Sequence, residues 1–115
     1  MIAVIFEVEP ADRDGYFNRA AALKPELESV PGFISVERFE SLATPGKFLS
    51  LSFFADEDAV RAWRTMPDHR AAQAAGRDGV LADYRLRVAD VLRDYGLTHR
   101  TEAPADSRAE FDLPD

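Results

Sequence analysis

The chain has 115 residues, 46% hydrophobic and 30% charged, a size and balance that suit one globular domain and exclude a disordered polymer. Its 21 acids against 14 bases argue against a polyanionic partner such as nucleic acid, because phosphate binding needs clustered Lys and Arg. The absence of cysteine excludes disulfides, thiolate metal sites and a cysteine nucleophile.

Met1 leads straight into Ile2-Ala3-Val4-Ile5-Phe6 with no basic leader or small-residue cleavage site, and no apolar run nears the ~20 residues of a membrane span. A cytoplasmic protein without membrane association is expected. Ile2 to Glu9 alternates, with Ile2, Val4, Phe6 and Val8 on one face, which predicts a first strand that Pro10 stops. Asp12 is a candidate N-cap, and Tyr16, Ala20, Leu23, Leu27 and Val30 then recur at helical spacing. Pro25 inside that helix predicts a kink or a lost hydrogen bond, and Gly15 weakens its start by up to ~1 kcal/mol.

Pro31-Gly32 marks a turn into a second strand, Phe33 to Ser41, and Leu42 to Lys47 supplies a hairpin. The third strand, Phe48 to Phe54, sets Leu49, Leu51 and Phe53 against Phe48, Ser50, Ser52 and Phe54; the serine pair marks a face that is only partly dry. Asp56-Glu57-Asp58 opens a helix through Val60 and Trp63, because carboxylates suit the positive end of a helix. Thr65-Met66-Pro67-Asp68 reads as a variant capping box for an Ala-rich helix from Pro67 to Ala75, closed by Gly76. A fourth strand is expected over Tyr84 to Tyr95. The tail from Leu97 to Asp115, acidic and poor in large apolar residues, is expected to be mobile unless Leu97, Phe111 and Leu113 dock on a neighbour.

The order β-α-β-β-α-β, with the second helix split, predicts an α+β ferredoxin-like domain over residues 1–96, its helices on one face of a four-stranded antiparallel sheet. Strands one and three carry large apolar residues on both faces. A second copy packed sheet to sheet as a C2 dimer would bury the uncovered face and enclose a barrel-like cavity.

Pro31-Gly32-Phe33-Ile34, Ser50-Leu51-Ser52-Phe53, Ala59-Val60-Arg61-Ala62-Trp63 and His69-Arg70 together resemble antibiotic biosynthesis monooxygenase domains of the dimeric α/β-barrel superfamily, over roughly Met1 to Gly96. The resemblance implies cofactor-free oxygenation of a small aromatic or quinol-type substrate in a homodimer. It also implies a pocket-lining role for Trp63. Haem is the cofactor of degrading relatives, but their first-strand Asn has no counterpart here, where the only Asn is Asn18. The Asn that holds substrate in oxygenating relatives is replaced by Ala59.

From the residues themselves, His69 is a candidate base, since imidazole titrates near neutral pH, and a solvated helix histidine is the competing reading. Arg85 and Arg87 are candidates to hold an anion in catalysis, with Arg93 on the same strand face and Arg38 as a candidate to join them. The competing reading pairs these arginines with Glu7, Glu9, Glu37 and Glu40. Trp63, Ser50, Ser52 and Phe6 are the candidate substrate-binding residues. No phosphate-cradling glycine loop, paired-His metal motif or nucleophile elbow is present. Three functions stay open: an oxygenase, a non-catalytic dimeric binder of a hydrophobic or haem-like ligand, and a structural dimer with a filled interior.

Overall fold

The computed structural model describes residues 1–112. Their order is β1 (Ile2–Pro10), α1 (Arg13–Glu28), β2 (Phe33–Glu40), β3 (Phe48–Phe54), α2 (Glu57–Arg64), α3 (Pro67–Ala75), a π-helical turn (Gly76–Val80), β4 (Leu81–Asp90) and α4 (Ala105–Phe111). The strands form one antiparallel sheet in the order β2-β3-β1-β4, so the ferredoxin-like α+β expectation holds.

Local chemistry explains most boundaries. Asp12 caps α1 by accepting from the N–H of Gly15 at 3.0 Å. Helix α1 runs on through Pro25 and forgoes only the hydrogen bond to the carbonyl of Ala21. Asp56 caps α2 through the N–H of Ala59 at 2.9 Å. The expected capping box at Thr65 does not form. Its hydroxyl instead donates to the carbonyl of Arg61 at 2.8 Å, closing α2, while Met66 stands before Pro67 without a side-chain cap. Gly76 does not end α3 either, because the chain continues through the π-helical turn to Gly79, whose φ of 117° breaks it.

β4 begins three residues earlier than the alternation suggests and ends at Asp90, since its register is dictated by β1, from Pro10 opposite Leu81 to Ile2 opposite Asp90. Arg93 therefore lies beyond the sheet. The tail is not featureless: the Arg100 guanidinium donates to Asp112 and to Ser107, both at 2.9 Å, and folds α4 back on the segment before it. Leu97 and Phe111 remain exposed, and Leu113 lies outside the described residues.

The core sits in two clusters on the helix-covered face. At one end Phe54, fully buried, packs with Leu27, Val30, Ala59 and Val60; at the other, Val8 and Phe48 pack with Tyr16. The gap between them is written in β3, whose helix-facing residues read Phe48, Ser50, Ser52, Phe54. Large rings anchor both ends, and two small side chains leave the middle unfilled.

Candidate active site

Over those two serines the structure holds a cavity of about 540 Å³, within the range typical of small-molecule sites. It lies inside one chain, between helices and sheet, rather than between the sheets of two copies. Its floor is two rows of the sheet register, Val36–Ser52–Val4–Val88 and Arg38–Ser50–Phe6–Leu86. Ala20 and Leu23 of α1 roof it, and Trp63, His69 and Gln73 from α2 and α3 form a wall.

Trp63 and His69 meet because Pro67 starts α3 immediately after α2 ends, which turns the first turn of α3 back onto the end of α2. Their rings stack, with centroids 4.3 Å apart and planes at 19°. His69 Nδ1 lies 3.0 Å from the Trp63 carbonyl. A carbonyl only accepts, so Nδ1 carries the proton and Nε2 of the neutral ring keeps its lone pair. Burial pushes the His69 pKa below the usual histidine value; the carbonyl contact opposes this, and the Arg70 charge adds to it. Burial thus favours the neutral imidazole, the state a general base requires.

Of the residues singled out from sequence, Phe6, Ser50, Ser52, Trp63 and His69 all line the cavity. Arg85 and Arg87 do not. In the pleat of β4 they alternate with Tyr84, Leu86 and Val88, which face the cavity, so both arginines lie on the opposite side of the sheet. Arg87 there donates to Glu7 at 3.1 Å, as the pairing alternative supposed. The Arg87 guanidinium, with help from Lys47, holds the Glu7 carboxyl below the usual carboxylate range. Arg38, placed with Arg85 and Arg87 in the sequence reading, is instead the floor's one guanidinium. Tyr16 and Tyr84 also border the cavity and were missed. The pairing of β2 to β3 was the information needed for Arg38, although its parity with Val36 carried a hint.

A second feature sits where α1 meets α3. The neighbouring Asp68 carboxyl holds Glu26 above the usual carboxylate range, and Glu26 Oε2 is shut off from solvent without a hydrogen-bond partner.

Comparison with known proteins bears on this geometry. Residues 1–75 match the family described as antibiotic biosynthesis monooxygenase. The jasmonate monooxygenase ABM of Pyricularia oryzae is 50% identical over 93 residues, which span 79% of this chain and 43% of the fungal protein. The protein YqjZ of Bacillus subtilis is 33% identical over 92 residues, 79% of each chain. Among solved structures, Rv0793 of Mycobacterium tuberculosis superposes with a TM-score of 0.73 at 18% identity, covering 83% of this chain and 98% of its own. SnoaB of Streptomyces nogalater, described as a cofactor-independent oxygenase, gives 0.70 at 13% identity, covering 81% and 94%. At those identities the structural likeness speaks for the fold.

Proposed function

The chain belongs to the antibiotic biosynthesis monooxygenase family, and from that premise we propose that it is a cofactor-independent monooxygenase acting on a small aromatic or quinol-type molecule held in this cavity. The observation that carries the reading is the Trp63–His69 pair: a flat apolar wall and a neutral imidazole, side by side in one half-enclosed pocket. The name of SnoaB supports the absence of a cofactor, and that of the fungal relative supports oxygenation of a small molecule.

The chemistry asks little of the protein. The substrate packs against Trp63, and His69 Nε2 takes a proton from an acidic C–H or phenolic O–H, leaving an electron-rich anion. That anion reduces dioxygen by one electron, and the resulting radicals combine at carbon to give a peroxide. The peroxide collapses so that an activated CH2 becomes C=O while the second oxygen leaves as water. All four electrons come from the substrate. The apolar residues around the pocket keep bulk water from the anion, and Ser50 and Ser52 offer hydroxyl donors from the floor.

We further take the working form as a cytoplasmic homodimer. None of α1 to α3 covers the outer sheet face, where Ile5, Leu49, Leu51 and Phe53 lie side by side and Phe39 is 44% exposed. No helix among the described residues is long and apolar enough to cross a membrane.

Oxygen-electrode assays with anthrone and with 1,5-dihydroxynaphthalene test the enzyme reading. One quinone and one water per dioxygen are expected, with the rate lost in His69→Ala. Saturable binding without oxygen uptake across both compound classes would replace it with the binding-protein reading.

A further inference from the structure

The charges around the cavity are not used by the chemistry at Trp63 and His69. Six of the chain's 14 bases line it, namely Arg19, Lys24, Arg38, Arg64, Arg70 and Arg77, and no Asp or Glu among the described residues does. In a chain with 21 acids, that segregation calls for an anionic occupant.

Five of the six are exposed side chains on the helices and the π-helical turn. Arg38 is different. It rises half-buried from the floor, and its Nε is shut off from solvent with no hydrogen-bond partner. The Arg38 guanidinium is in none of the ion pairs among the described residues, and a half-buried charge without a partner costs stability, so an anion in the cavity that Arg38 lines is its natural completion. The carboxylate two positions on, at the same face of β2, does not supply one: Glu40 accepts from the N–H of Gly46 at 3.4 Å and does not line the cavity. Ser50 stands opposite Arg38 in the β2–β3 register and also lines the cavity.

We propose, resting on the oxygenase reading of the same pocket, that the substrate arrives as a carboxylate: a small apolar or aromatic acid whose carboxylate is gripped by the Arg38 fork and the Ser50 hydroxyl. The rest of the molecule lies on Val4, Phe6 and Leu86 and reaches Trp63 and His69. The guanidinium fork matches the two coplanar oxygens of a carboxylate better than the single oxygen of a phenolate. Binding and chemistry are thereby divided, with the charge held on the sheet and the proton taken at the helices.

The test compares 2-naphthoate with 2-naphthamide, which match in shape and differ in charge, by isothermal titration of the full chain. Wild type is expected to prefer the acid by about tenfold or more, as a hydrogen bond between charged groups in a partly dry site warrants. Arg38→Met abolishes the preference and Arg38→Lys restores part of it, with circular dichroism melts confirming that each variant is folded. Equal binding of the two probes, a preference that survives in Arg38→Met, or no binding of the acid at millimolar concentration overturns the proposal. Preference for the acid without oxygen uptake by any quinol would leave the anion site standing and remove the oxygenase reading. Turnover of an uncharged quinol with no preference for the acid would do the reverse.

Discussion

The imidazole of His69 lies flat on the indole of Trp63, 4.3 Å between centroids, and is tied at Nδ1 to the carbonyl of that same tryptophan. One residue therefore supplies both the cover that dries the ring and the acceptor that chooses its tautomer.

The pH dependence follows from that arrangement. Burial lowers the folded-state pKa of His69, so between that pKa and the ordinary ~6.5 the unfolded chain binds the extra proton. Stability from this group is complete above the unfolded value and falls as pH drops below it towards the folded pKa. Urea melts of wild type should lose stability over that window relative to His69→Gln. The ascending limb of kcat/KM should likewise lie below pH 6.5, and a limb above that value would contradict a buried His69 base.

Removing the indole should move the histidine. Trp63→Ala uncovers His69, and its pKa, followed by NMR titration of the ring protons, should rise towards the ordinary value. The same variant should cost about 2 kcal/mol of stability, less than the ~3–5 kcal/mol of a fully buried aromatic because Trp63 is half-buried. An unmoved His69 titration would mean that the stack contributes no burial.

The outer sheet face predicts an oligomeric outcome. Leu51 sits in its centre, between Glu37 and Ile5 in register, and Leu51→Asp would place a carboxylate in the middle of the proposed dimer seam. Dimerisation should weaken by about 3 kcal/mol, roughly a hundredfold, from the cost of burying an unpaired charge. Sedimentation velocity reads this directly, and a variant that remains as dimeric as wild type would move the interface elsewhere.

Gly32 offers a test of backbone geometry. Its φ is +89°, its carbonyl accepts from the N–H of Ala55 at 2.7 Å, and an added Cβ would lie 3.0 Å from that of Ala59. Gly32→Ala should cost about 1–2 kcal/mol from the left-handed backbone alone, with crowding against α2 added to it. Equilibrium unfolding that shows no loss would mean that the turn relaxes into a different geometry.

Strand alternation made most of the sheet legible before any pairing was known, and the Phe48-Ser50-Ser52-Phe54 series marked the face on which the cavity opens. Properties set by two elements at once were hidden. The burial of His69 depends on the angle between α2 and α3, which Thr65 and Pro67 determine together, and the hydroxyl expected to start one helix finishes the other. The arginines show the same limit. Parity puts Arg85 and Arg87 on one face of β4, but only registry through β1 and β3 decides that Arg38, and neither of those two, shares the floor with Phe6.

Gathering six bases around one cavity has a kinetic side as well. Away from it, eight bases are left to 20 acids among the described residues, so the rest of the surface is more strongly negative than the net charge of −7 suggests. An anion diffusing nearby is repelled by the net negative surface and drawn towards the cavity, whose lining residues Arg70 and Arg77 stand exposed. The acidic exterior thus acts as a guide, narrowing approach to one direction, and its influence fades as salt shortens the screening length from ~10 Å at 0.1 M to ~3 Å at 1 M.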